Sequence, residues 1–217
     1  EPAHTLQVRD LRFRYAPHHP SPRTTTAGAG ARNGEPFELF IDRLDLRTGT
    51  RLGIFGPTGC GKSTLAELLA GVLEAPPGSL KINGIDSRQV PADIWRRWVS
   101  FVPQQSMLFS TTITENIQMA RSPDAARLAA AISCAVLGAE VANFPQGLAT
   151  SVGESGVTLS GGQRQRVSVA RAYYHGGSLV ILDDTTSAGD ALTETRLLAQ
   201  IRRRLSHAML VIISHRV

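Results

Sequence analysis

The apolar residues of this chain fall into short runs and helical stripes that alternate along the sequence. Leu11, Phe13 and Tyr15 alternate with Arg12 and Arg14, which predicts a strand. From Ala16 to Pro36 the pattern stops: four Pro, three Gly and three Thr occur there, with no Leu, Ile, Val, Phe or Met. Such a stretch cannot bury a face, so residues 16–36 are expected to be a loop or disordered insertion. Order resumes near Phe37. Arg51–Phe55 reads as a short buried strand, and Lys62–Leu73 as a helix with Leu65, Leu68, Leu69 and Val72 at helical spacing. Leu80–Ile82 reads as a strand followed by the tight turn Asn83-Gly84. Val99–Val102 is a further apolar strand, and from Pro103 to about Ser160 the pattern is mostly helical. Leu179–Leu182 is a buried β-type run. Ala191–Leu205 reads as a helix with Leu198, Ile201 and Leu205 on one face, and Met209–Ile213 as a last buried strand. Strands alternating with helices predict a parallel α/β sheet.

Composition narrows the class. The chain has 217 residues, 42% of them hydrophobic, which suffices for a core and excludes wholesale disorder. Its net charge of +5 permits an anionic partner without demanding one. Two cysteines, Cys60 and Cys134, cannot form a disulfide scaffold, so an intracellular setting is expected. The longest mildly apolar run, Leu128–Ala139, is 12 residues, short of the roughly 20 that a spanning helix needs. The first residues, Glu1-Pro2-Ala3-His4, have no initiating Met and no signal-peptide shape, so a longer parent protein is expected. Basic clusters at Arg96-Arg97, Arg164/Arg166 and Arg202-Arg204 are spread over several helices, with no interleaved aromatics that would point to nucleic acid.

The candidate chemistry begins at Gly56-Pro57-Thr58-Gly59-Cys60-Gly61-Lys62-Ser63-Thr64, a P-loop pattern between a predicted strand and a predicted helix. Glycines there let backbone N–H groups close on phosphate oxygens, and the helix N-terminus adds positive potential. Lys62 is expected to reach the β- and γ-phosphates, and the Ser63 hydroxyl to ligate Mg²⁺. The apolar strand ending in Asp183 would deliver a carboxylate to the same metal. Asp183 follows Lys62 at a separation of 183 − 62 = 121 positions, long for a minimal P-loop fold, so a sizeable insertion is expected. Within it, Leu159-Ser160-Gly161-Gly162-Gln163 precedes a helix and has the make-up of a second anion-binding helix start. One P-loop does not need two phosphate cradles. The economical expectation is that the second serves a neighbouring molecule's nucleotide.

With these residues the chain resembles the ATP-binding domain of ABC transporters, whose signature Leu159-Ser-Gly-Gly-Gln163 matches letter for letter. The resemblance implies one domain over residues 1–217. It has a P-loop (RecA-like) core with a mainly parallel sheet, an N-terminal antiparallel β subdomain and an inserted helical subdomain. The expected boundaries are 1–103 and 176–217 for the core and 104–175 for the helical part. It implies that Tyr15 stacks on adenine, that Gln104 links metal and attacking water, that Asp190 in the loop Ser187–Asp190 crosses a dimer interface, and that His215 contacts the γ-phosphate. The stretches Phe109–Ile117 and Val152–Gly156, with Glu154, are similar to those of the exporter branch. ATP and Mg²⁺, a head-to-tail second ATP-binding domain, and a membrane domain fused upstream of Glu1 are thereby implied, with the domain on the cytoplasmic face of a membrane.

One position departs from the family pattern. A glutamate ordinarily follows the metal-binding aspartate, and here that position is Asp184. The carboxylate is kept, but the arm is shorter by about 1.5 Å. A shift of that order can cost about a hundredfold in rate. Slow hydrolysis at this chain's own P-loop is the expectation, in a homodimer or as the regulatory half of a heterodimeric exporter. A soluble ABC-type ATPase outside transport is the further alternative. Gly189 also stands where relatives ordinarily carry Leu. Cys60, inside the P-loop beside Lys62, is either a reactive thiol or a small filler.

Overall fold

A computed structural model describes residues 2–15, 37–119, 121–153, 157–185 and 191–214. The chain forms β1 (Thr5–Phe13), β2 (Leu39–Arg47), β3 (Arg51–Phe55), α1 (Lys62–Ala70), β4 (Leu80–Ile82), β5 (Ile85–Asp86), α2 (Ala92–Trp98) and β6 (Val99–Val102). It continues with α3 (Ile113–Gln118), α4 (Ala125–Cys134), α5 (Gly138–Asn143), α6 (Gly161–His175), β7 (Leu179–Asp183), α7 (Ala191–Arg204) and β8 (Met209–Ser214).

The strands make two sheets. One is antiparallel, in the order β2-β1-β4-β5, and the other parallel, in the order β3-β8-β7-β6. The expected α/β architecture, parallel core plus antiparallel β part, is therefore present. Strand β7 is buried along its whole length. Its residues divide by parity. Val180 and Leu182 face a core shared with α3, α4, α6 and α7, whereas Leu179 and Ile181 face a core shared with α1 and the antiparallel sheet. A central parallel strand covered on both faces has to read as a continuous apolar run.

Three local expectations are corrected. Helix α1 stops at Ala70, because Gly71 (φ 72°) closes it in the left-handed conformation. Val72 therefore leaves the apolar face and is exposed. On α7 the inward position is Leu197 rather than Leu198, followed by Ile201 and Leu205 one turn apart. The first strand runs over Thr5–Phe13, and Tyr15 lies past its end. Its buried residues change phase, from Leu6 and Val8 to Leu11, around Asp10 at φ 43°. The partner strand β2 slips in the same place. Leu39 and Ile41 pack inward, then Leu44 and Leu46, with Arg9 opposite Arg43 and Leu11 opposite Ile41.

Candidate functional site

The parallel sheet sets the positions. Phe55 at the end of β3 is in register with Ser214 of β8, and Ile213 with Asp183 of β7. The P-loop and Asp183 thus leave the same carboxyl edge of the sheet, where open α/β sheets bind their ligands.

Residues 56–61 connect β3 to α1. Gly59 (φ 82°) and Gly61 (φ 97°) hold backbone angles that side chains rarely adopt. Gly61 is the N-cap of α1 and places no side chain over the first-turn amides. Those amides stay available to an anion. A Cβ on Gly56 would lie 2.9 Å from the Cys60 sulfur, so a larger residue there would have to displace that side chain. The Lys62 ammonium, buried within the curl, donates to the carbonyls of Gly56 at 2.6 Å and Pro57 at 2.9 Å. The Cys60 Sγ lies 3.9 Å from the same Nζ. Lysine thus bridges the loop to the start of the helix, with its charge at the centre of the cradle.

Asp183 is 1% exposed at the tip of β7. A carboxylate that deeply buried is costly without a cation nearby. The donor set that sequence assigns to the metal is the Ser63 hydroxyl, the Asp183 carboxylate and the Gln104 amide oxygen. These are hard oxygen ligands, the chemistry that suits Mg²⁺.

Asp184 is the most constrained residue of the site. It has φ 50°, a conformation aspartate tolerates better than most residues. Its amide donates to the Ile213 carbonyl at 2.9 Å. Its carbonyl accepts from Gln165 Nε2 at 2.9 Å, and its carboxylate Oδ2 accepts from Gln104 Nε2 at 3.1 Å. Strand β8, helix α6 and the segment after β6 therefore converge on one residue. Gln165 was not foreseen. It sits two positions past the signature on α6, and it donates to the backbone carbonyl of the left-handed Asp184.

The signature forms the start of α6. Ser160 is its N-cap: Oγ accepts from the Gln163 amide at 3.2 Å, and Gln163 Oε1 accepts from the Ser160 amide at 2.9 Å, a complete capping box. Gly161 is exposed and Gly162 buried. At its far end the same helix carries Arg171. Its Nε donates to the Asn116 carbonyl at 2.7 Å, its Nη2 to Asn116 Oδ1 at 3.1 Å and its Nη1 to the Met107 carbonyl at 3.2 Å. The segment following Gln104 is thus anchored to the signature helix.

Tyr15 shares a hydrogen bond of 3.0 Å with Thr64 Oγ1 on α1, so the aromatic residue is tethered beside the P-loop. Direct contacts or sequence adjacency join Tyr15 to Thr64 and Lys62, and separately Gln104 to Asp184 and Asp183, and the P-loop and Asp183 share one sheet edge. Glu154, Ser187–Asp190 and His215 lie outside the described residues. Among the described residues, no helix is long and apolar enough to cross a membrane.

Residues 41–187 match the family model described as ABC transporter. A probable multidrug resistance ABC transporter ATP-binding/permease protein of Bacillus subtilis (strain 168) is 39% identical over 173 residues, covering 79% of this chain and 30% of that protein. An ATP-dependent lipid A-core flippase of Burkholderia orbicola (strain AU 1054) is 36% identical over 179 residues, covering 82% of this chain and 30% of that protein. A solved structure described as a bacterial Atm1-family ABC exporter with ATP bound matches with a TM-score of 0.83 at 32% identity, covering 99% of this chain and 35% of that one. The chain spans about 30% of the length of these curated relatives.

Proposed function

From the chain's membership of the ABC transporter family, to which it belongs by the match over residues 41–187, we propose that it is the ATP-binding and ATP-hydrolysing motor domain of an ABC exporter. The observation that carries this reading is the P-loop itself, a glycine-formed curl closed around the Lys62 ammonium above an uncapped helix start. That arrangement offers amides and one positive charge to a triphosphate. Ser63, Asp183 and Gln104 would hold Mg²⁺, which when bound offsets charge on the β- and γ-phosphates. Tyr15 would stack on the base. Residues 104–175 would act as the helical part of the domain, between core segments 1–103 and 176–217.

In this reading Ser160–Gln163 and Asp190 serve the nucleotide of a second, head-to-tail ATP-binding domain. His215 assists at the γ-phosphate. The partner in motion is a membrane domain, and the site works on the cytoplasmic face of that membrane. The named activities of the relatives, multidrug resistance and lipid A-core flipping, support export without identifying the cargo.

Asp184 orients the attacking water, with a carboxylate held by Gln104 rather than extended toward solvent. A general base must lie within hydrogen-bond reach of its proton donor. The short arm and this restraint give slow turnover on tightly bound ATP. The same hydrogen bond, beside an intact signature, also favours a second reading: a regulatory half-site whose partner turns over in its place.

Steady-state ATPase assays of the protein and of Asp184→Glu test the proposal. The glutamate variant is expected to be faster, by up to about a hundredfold. A rate equal to or below that of the unsubstituted protein removes the slow-site reading and leaves ATP binding standing.

A further inference from the structure

We propose that Thr64 is a positioning residue for Tyr15, so that base and phosphate recognition are fixed to each other by the first turn of α1. The inference rests on the nucleotide reading above and deepens it.

Tyr15 follows the end of β1 and borders residues outside the described set. A tyrosine in that position, held only by its own backbone, would lose rotamer freedom on binding a base. Here the ring is ordered in advance. Its hydroxyl and Thr64 Oγ1 lie 3.0 Å apart. Its ring stands edge-on to Phe13, with centroids 5.2 Å apart and planes at 82°. Phe37 lies on another side, 6.2 Å away and tilted by 39°. Phe37 in turn packs against the P-loop: a Cβ on Gly61 would meet its Cζ at 2.9 Å. Glycine at 61 therefore serves a second purpose besides its φ of 97°, the close seating of the aromatic cluster on the loop.

Thr64 is a firm anchor. It is buried in α1, and a β-branched side chain in a helix has few rotamers. It follows Lys62 and Ser63 directly. The turn that presents the ammonium and the metal-binding hydroxyl to phosphate thus also sets where the aromatic ring stands. The span from base platform to phosphate cradle is built into the unliganded protein, which lowers the ordering cost of binding a whole nucleotide but not that of binding phosphates alone.

Isothermal titration calorimetry with Mg–ATP and with magnesium tripolyphosphate separates the two halves. Tyr15→Phe, which keeps the ring and loses only the hydroxyl, is expected to weaken Mg–ATP binding about two- to tenfold, the worth of one hydrogen bond. Thr64→Val is expected to do the same, Thr64→Ser to stay near the unsubstituted affinity, and the Tyr15→Phe/Thr64→Val pair to lose no more than either alone. Tripolyphosphate affinity is expected to hold in Tyr15→Phe, whose ring lies outside the P-loop. Unchanged Mg–ATP affinity in either single variant, additive losses, or an equal loss of tripolyphosphate binding would overturn the proposal, the last by placing Thr64 on the phosphates directly. An unsubstituted protein that binds neither ligand would overturn the nucleotide site itself.

Discussion

Two helices of this chain begin with the same kind of glycine-rich turn, and they are finished in opposite ways. At α1 the N-cap is Gly61, which leaves the first-turn amides without a capping side chain. At α6 the N-cap is Ser160, which forms a complete capping box with Gln163. A capping side chain is worth about 1 kcal/mol over alanine but only a few tenths over glycine, so with Gly61 as its N-cap α1 forgoes little of what α6 keeps. The compensation at α1 is Lys62, whose ammonium ties the Gly56 and Pro57 carbonyls to the helix start. The lesson is that an anion site has to stay unsatisfied by its own protein. A glycine-rich helix start offers its full set of donors only where no local side chain has taken some of them. By that measure the P-loop is open within a single chain. The signature is complete in itself, and its exposed Ser160 and Gly161 are left for an approach from outside.

The sharpest way to break this contrast is Lys62→Ala. The substitution removes the charge from the α1 cradle and leaves the glycine curl. Loss of a charge-assisted interaction with phosphate is expected to weaken Mg–ATP binding about 10–100-fold. The measurement is a direct titration of nucleotide. An undiminished affinity would mean that the loop amides alone hold the ligand, or that the site is elsewhere.

Ser160→Ala probes the other helix with a smaller effect of a different kind. It removes the cap of α6, and a loss of about 1 kcal/mol is expected. In a chain of this size that lowers Tm by about 2–4 °C. Mg–ATP affinity of the chain's own P-loop is expected to stay unchanged, since Ser160 and Gln163 bond each other. A calorimetric scan paired with nucleotide titration reads both. Equal Tm with weakened binding would reverse the assignment of roles.

The same contrast explains what the sequence made legible. The P-loop is a local string whose glycines and lysine act within nine residues, Gly56–Thr64, so spacing alone located it. The strands β7 and β8 were legible because burial on both faces leaves an unbroken apolar run. Strand β2 was not, because its inward positions change phase between Ile41 and Leu44, opposite the left-handed Asp10. A strict alternation test fails across that slip. Gln165 and the Thr64–Tyr15 pair were illegible for a further reason. One joins residues 19 positions apart across the fold, and the other residues 49 positions apart. Val72 was misplaced because apolar spacing continues past Gly71, whereas the helix does not. The metal ligands and catalytic residues were named from motif and resemblance, and the structure adds the contacts by which Asp184 is held.

The smallest expected effect lies at the far end of α6, where the comparison concerns charge rather than caps. His175 occupies the last turn, a place where the helix dipole favours a cation. Burial nevertheless lowers its pKa below the usual 6.5, and the positive charges of Arg121, Arg171 and Arg127 act in the same direction. A hydrogen bond with the Gln118 backbone opposes them. The sign of the pH effect follows. The unfolded chain takes up a proton at this histidine near pH 6.5, before the folded chain does. Stability from the neutral ring is therefore fully present above pH 6.5 and is lost as pH falls through the lower folded value. The check is denaturant unfolding of the protein and of His175→Gln at pH 7.5 and pH 5.5. The unsubstituted protein is expected to lose more stability between the two than the variant. Helix α1, with no basic residue in its last turn, contributes nothing of this kind. Equal losses in the two proteins would show that the dipole of α6 compensates the arginines, and that both ends of that helix are neutralised by the fold rather than by a neutral side chain.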